Sequence, residues 1–476
     1  SGYGGSTGYG AAFNDMFGNQ NTLTITGSSG IDTIVFPPSR VPGQSLMATI
    51  GGYFVVKAGD GDDTLTAAQS LALGDNIDMG AGDDKVEVQG DGVATLNGNS
   101  LIKLDGGAGS DTLDFSGGSA STVALTLTIG GATNFENLTG TSGAETITGD
   151  ANANILSGSG GLDTIYGLGG NDTLHADSLP SLAMSYGLTC QASSTNNDVL
   201  YGGAGDDTLC GSSGDNTLDG GTGKDTITGS GGSDTIVIRS GDGSTDITNA
   251  DILTDFTDGT DVIGMSGLTF DELTIAQGSG DYASHTLISV VDSGEYLLVL
   301  QNTTASNVTV VDFVLNTSTA QTLSGNSSNN TLVGGLGNDT FTTGSGTDSI
   351  YAHAGDDTIT VDGAGIKTID GGSGTDSLTI SYTGITGLSD FTVSENGDYI
   401  VLTDSSGNSV SYKNIESLTV GSYAYTVDAS AKTYYNASEK ALYLYSVSGI
   451  GGNTGSSAAF NDMFGNTNTL TIVGSS

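Results

Sequence analysis

The chain has 476 residues, 54 Asp plus Glu against 10 Lys plus Arg, and a net charge of −44. That balance argues against nucleic acid and anionic membrane surfaces, which need a cationic face, and makes divalent cations the natural counterions. Gly at 78 with Pro at only 4 does not fit a collagen triplet, and no apolar run approaches the roughly 18 residues of a membrane-spanning helix.

In chain order, residues 1–26 read as a junction segment. Residues 1–29 agree with residues 448–476 at 23 of 29 positions, at an offset of 447. We read this as one period of a tandem array followed by the start of the next copy at 448–476; two copies of a small cap is the alternative. AAFNDMF at 458–464 reads as one short turn in a chain with scant helix signal.

From residue 27 a nine-residue unit appears, of the form Gly-Gly-x-Gly-x-Asp-x-aliphatic-x. It is loose over 27–139, where GSSGIDTIV, AGDGDDTLT, MGAGDDKVE and GGAGSDTLD place Asp32, Asp63, Asp84 and Asp111 at position six. It is strict over 140–238, apart from an insert at 176–192. There position six holds Glu145, Asn154, Asp163, Asp172, Asp198, Asp207, Asn216, Asp225 and Asp234. Position eight of the same units is always Leu or Ile, from Ile147 to Ile236. Residues 239–315 lose the beat and read as alternating strands of a capping β-domain. The beat returns over 316–380, with Asn330, Asp339, Asp348, Asp357 and Asp376 at position six. There Val361 is inserted and Lys367 replaces the oxygen donor of one unit. Residues 381–447 read as a β flank. The segments Asn134-Phe-Glu-Asn-Leu-Thr and Asn414-Ile-Glu-Ser-Leu-Thr form two similar joints.

The glycines allow positive φ, so the first half of each unit can curl into a tight turn. The second half is extended, and its alternation points the aliphatic residue inward. One buried Leu or Ile per nine residues does not offset the ordering of nine backbones, so an additional source of stability is expected.

The run GGAGDDTLC, GSSGDNTLD, GGTGKDTIT, GSGGSDTIV at 202–237 resembles the RTX (repeats-in-toxin) proteins. The resemblance implies an all-β fold: parallel β-roll blocks, two units per coil, with interspersed antiparallel β caps. Turns of units n and n+2 then stack, so Asp207 faces Asp225 on one edge and Asn216 faces Asp234 on the other. It also implies bound Ca2+, a hard cation that takes 6–8 oxygens from carboxylates and turn carbonyls. The candidate ligands are the Asp and Asn residues named at position six, with weaker or absent ions at the Asn and Lys steps. Segment 251–263, DILTDFTDGTDVI, is similar to the flank that follows such repeats. RTX-like proteins usually leave the cell by type I secretion, so an extracellular or cell-surface location is implied.

Catalytic signals are thin. His175, His285 and His353 are dispersed, and His175 and His353 are expected at the surface of roll turns. No His-Glu-x-x-His is present. The serine-elbow pattern at 4–8 has Asn453 in place of its serine in the second copy, and Gly223-Lys224 is followed by Asp225, so neither an elbow nor a phosphate loop is read. Tyr and Phe are read as cap-filling residues. Cys190 and Cys210 leave a disulfide open. The expected role is non-enzymatic: a secreted structural protein of a filament, S-layer, sheath or matrix, self-associating, with a cell-surface polysaccharide as a further partner class. A stalk of a large adhesin and a secretion module of an exoenzyme are the rivals.

Overall fold

A computed structural model describes residues 8–10, 22–36, 53–68, 75–90, 103–177, 190, 194–428, 433–436, 441–444, 459–461 and 467–471. The nine position-eight side chains from Ile147 to Ile236 are at most 1% exposed. They stack in register on two sheets: Leu200, Leu218 and Ile236 on one, and Leu174, Leu209 and Ile227 on the other. The expected all-β architecture of parallel rolls is present. Among the described residues, the helical segments are three-residue turns.

The chain forms two compact units, Ser1–Val262 with Ile275–Val308, and Ile263–Thr274 with Thr309–Ser476. In the first, a run of parallel strands extends from Thr33–Phe36 to Asp251–Leu253 along one sheet. The loose and strict series therefore share this sheet. The second wall changes identity along its length. It is formed first by strands such as Tyr53–Asp60 and Asn76–Ala81, and then by strands from Ala124–Thr126 to Thr235–Arg239.

In each unit, parallel stacking gives way to antiparallel pairing in at least one sheet. In the first unit, Tyr296–Leu300 adds parallel to Asp251–Leu253 and then pairs antiparallel with Thr286–Val290. In the second unit one sheet ends in the meander Ser409–Lys413, Tyr399–Asp404, Phe391–Asn396, and the other turns antiparallel after Ser417–Val420. These hairpins cover backbone edges that further coils would otherwise extend. Residues 239–315 are divided between the two units. In the second roll Phe341 takes the position-eight place and is fully buried with Ile350, Ile359 and Ile369.

One expectation is corrected here. Ala459–Asn461, read within a short turn, is a strand that pairs antiparallel with Thr467–Thr471. Pairing to a neighbouring strand overrides the local preference of AAFNDMF. The rest of 458–464, the first copy of that motif and residues 178–189 lie outside the described residues.

Replacing Leu200 by Ala opens the column at its middle. We expect a loss of about 2–5 kcal/mol, read as a lowered midpoint in denaturant at saturating calcium.

Candidate metal centre

The turn edges are held by one interaction repeated rung after rung. The backbone N–H of a position-six residue donates to a side-chain oxygen of the position-six residue one coil later, a carboxylate in all but the Asn216 rung. On the long sheet the donors and acceptors run Asp32 to Asp63 (2.6 Å), Asp63 to Asp84 (2.7 Å) and Asp84 to Asp111 (2.8 Å). They continue from Asn154 to Asp172 (2.8 Å), Asp172 to Asp207 (2.6 Å) and Asp207 to Asp225 (2.8 Å). On the other edge they run Asp163 to Asp198 (2.8 Å), Asp198 to Asn216 (2.9 Å) and Asn216 to Asp234 (2.8 Å). The second unit repeats the arrangement from Asn330 to Asp348 (2.9 Å), Asp339 to Asp357 (2.6 Å) and Asp357 to Asp376 (2.8 Å). The expected pairing of Asp207 with Asp225, and of Asn216 with Asp234, is met.

Only one carboxylate oxygen is used in this ladder. The second oxygen, Oδ2, of Asp63, Asp84, Asp111, Asp163, Asp172, Asp198, Asp207, Asp225, Asp357 and Asp376 is buried with no hydrogen-bond partner. A buried charged oxygen without a partner is costly, so each of these marks a place for a cation. Where position one is glycine, it makes room for that oxygen. A Cβ at Gly158, Gly167, Gly202 or Gly220 would collide with Oδ2 of Asp163, Asp172, Asp207 or Asp225 respectively. Position four needs glycine for a different reason. Gly205 and Gly223 sit at φ +139° and +138°, and a Cβ there would strike the carbonyl of the preceding coil.

The remaining candidates are differently placed. Asp32 is half-buried, and its Oδ2 accepts from the N–H and hydroxyl of Ser28 (2.5 and 3.0 Å). Oδ2 of Asp339 accepts from Gly335 N–H (2.8 Å). Oδ1 of Asp234 is shared by the N–H and the amide of Asn216. The side-chain oxygens of Asn154 and Asn330 accept local N–H groups from Asp150 and Asn326. Asp348 alone of the set is paired with an ammonium, that of Lys367.

Asn216 shows which other oxygens lie nearby. Its Nδ2 donates to the carbonyls of Gly214 (2.7 Å) and Ser212 (3.3 Å), at positions four and two of its own unit. An amide nitrogen here meets the carbonyls that a cation beside an Asp would meet. The donor set is then carboxylate and carbonyl oxygen, which suits calcium. Among the described residues no three His, Cys, Asp or Glu side chains converge on a point. The site that fits uses one carboxylate from a rung and backbone oxygen from its turns.

Several participants lay outside the sequence expectation. Glu136 and Glu416 extend the ladders, accepting from the N–H of Asp111 (2.9 Å) and Asp376 (2.8 Å). Asp251 and Asp261 receive the N–H of Asp225 (2.9 Å) and Asp234 (3.1 Å). Their signal was acid-x-aliphatic without the full Gly-Gly-x-Gly turn upstream. A second ladder runs outside the first in the opposite sense, through position five: Lys224 N–H donates to Asp206 (3.0 Å), Asp83 N–H to Asp62 (3.0 Å) and Asp356 N–H to Asn338 (3.0 Å).

His175 is a correction: it is buried, not at the surface. It lies in register between Ser157 and Cys210 on the inner rungs, and burial pushes its imidazole down to about 4. His353 is half-buried, with φ +72°. Cys190 and Cys210, left open above, form a disulfide with Cα atoms 5.2 Å apart.

A comparison with known families matches the RTX calcium-binding nonapeptide repeat (4 copies) at residues 103–119, 139–174, 193–218, 211–244 and 324–359. The chain thus carries RTX calcium-binding repeats, over less than half its length. A search of curated proteins finds no match. The carboxylate ladder extends beyond the matched segments, to Asp32 on one side and Asp376 on the other.

Burial pushes Asp163 up to about 8, and Asp111, Asp172 and Asp225 up to about 7. Between the ordinary 3.8 and about 7, the metal-free roll holds protons that the unfolded chain has released. Its stability is therefore fuller at low pH and is lost as pH rises through that window. Without added metal, β-sheet circular dichroism is expected to grow as pH falls from about 8 to about 5, while calcium affinity weakens over the same range. A flat metal-free profile would contradict the assigned burial. Asp207→Ala removes the orphaned oxygen itself and is expected to lower calcium stoichiometry in equilibrium dialysis; unchanged stoichiometry would remove Asp207 from the site.

Proposed function

Starting from RTX calcium-binding repeats on a two-walled roll, we propose that this chain is an extracellular structural protein whose folding and assembly are driven by calcium. The observation that carries the reading is the buried, partnerless Oδ2 recurring at the turn edges of both rolls. With a net charge of −44, a metal-free roll brings like charges together inside a poorly hydrated edge. A divalent cation at each orphaned oxygen removes both penalties, so ion binding and folding form one equilibrium. Asp63, Asp84, Asp111, Asp163, Asp172, Asp198, Asp207, Asp225, Asp357 and Asp376 are the proposed side-chain ligands, with turn carbonyls completing the shell.

Three features support an architectural, non-enzymatic role outside the cell. The disulfide of Cys190 and Cys210 suits an oxidising compartment. Only 10 Lys and Arg leave few sites for trypsin-like proteases. No helix of the described residues is long and apolar enough to cross a membrane. The segment duplicated at an offset of 447 supports end-to-end self-association. Its strand Thr22–Thr26 adds parallel to Tyr53–Asp60, and the corresponding strand Thr467–Thr471 adds parallel to Ala441–Leu444. The same short sequence thus extends a sheet in both places, as a joint between copies would.

Circular dichroism at neutral pH should show β structure with calcium and lose it in chelator. Negative-stain microscopy should show filaments or sheets with calcium only. Retained β signal in excess chelator would overturn calcium-driven folding. Dispersed rods with calcium would overturn the polymer and favour a stalk.

A further inference from the structure

The second roll departs from the repeat at one rung in two ways at once. Position one of the unit 343–351 is Thr343 where most units have glycine, and position six of the unit 362–370 is Lys367 where the others have an oxygen donor. The two departures meet in space, because Asp348 and Lys367 are direct neighbours in the parallel pairing of Gly346–Tyr351 with Gly365–Asp370.

The Lys367 side chain is fully buried, as is that of Asp348. Its Nζ donates to Oδ2 of Asp348 (2.6 Å) and to the carbonyl of Gly346 (2.9 Å). Oδ1 of Asp348 keeps its ladder role and accepts from Asn330 N–H (2.9 Å). The oxygen that is orphaned in ten other rungs is therefore satisfied here by a positive charge. Gly346 stands at position four of its unit, and so does Gly214, whose carbonyl takes the Asn216 amide (2.7 Å). Two nitrogen donors from unrelated rungs thus reach the same carbonyl position. Thr343, itself fully buried, puts a side chain where position-one glycines leave space beneath Oδ2.

We propose that Lys367 is a tethered cation, its ammonium taking the place that calcium takes beside the other position-six carboxylates. The idea rests on the calcium reading of those rungs. A buried ammonium is tolerable only with its partners in place, and a carboxylate plus a carbonyl are the partners a calcium ion would share. The rung joining Gly346–Tyr351 to Gly365–Asp370 then closes at any calcium concentration. One edge of the second roll is exempt from the switch that governs the rest.

The test is calcium stoichiometry of the full chain by equilibrium dialysis, for the parent, for Lys367→Asp and for Thr343→Gly with Lys367→Asp. The double substitution restores glycine at position one and oxygen at position six, and is expected to bind one more calcium ion per chain than the parent. Equal stoichiometry overturns the proposal. Lys367→Met keeps the stem without the charge. It should melt at a lower temperature in saturating calcium, and further calcium should not restore it; a Met variant as stable as the parent also overturns the proposal, even if the Asp variants fail to fold. A parent that binds no calcium would instead refute the calcium reading itself.

Discussion

Everything in this fold depends on a carboxylate divided between two tasks. In ten position-six Asp residues, Asp207 and Asp225 among them, one oxygen fixes the backbone of the neighbouring coil, and the other is buried beside a turn with nothing to bond. The first task makes the coil geometry regular. The second makes the regular geometry unfavourable at neutral pH unless a cation arrives. A strand of three residues, such as Thr208–Cys210, contributes one fully buried aliphatic side chain to the core, here Leu209. The hydrophobic column sets the register but is too thin to carry the ordering of the turns alone. Sequence, metal and fold are therefore one problem, and the same residue solves the geometry and creates the need.

The glycines divide the labour further. In units such as those of Gly202 and Gly220, position one is glycine so that a carboxylate oxygen can lie above it, whereas position four is glycine because its φ lies in the left-handed region. These are distinct constraints that a consensus writes with the same letter. Thr343 breaks the first without breaking the second, since Gly346 keeps φ +111°. That separation is what lets one rung change its cation while keeping its turn.

The parallel roll, its two-unit coil and its inward column were legible because positions six and eight repeat without a gap. The stacking of Asp207 on Asp225 followed directly. Legibility failed where the unit was shortened to its essentials. Glu136 and Glu416 hold the same ladder position as an Asp, and Leu138 stacks on Leu113 as a position-eight residue should, but no complete Gly-Gly-x-Gly turn announces them. Nor was the position-five ladder visible, since it is made by Asp or Asn in some units and closed by Lys or Ser backbone in others. His175 was misplaced because position nine is outward in most units, whereas here it lies within a buried rung beside the disulfide-bonded Cys210. Ala459–Asn461 shows the remaining failure, a short segment whose conformation is chosen by its strand partner.

The position-six ladder also has a direction. Its rungs give their N–H toward the C-terminal side, to the position-six oxygen of the next coil, from Asp32 to Asp111 and again from Asn154 to Asp225. The last acceptors, Asp251 and Asp261, belong to the flank and not to a repeat. At position six a coil docking onto that flank finds side-chain oxygen already in position, whereas the opposite face presents amide hydrogens there. The stack is therefore a vector with a chemically distinct head and tail. Any fibre built by joining such stacks head to tail inherits a polarity written in its hydrogen bonds.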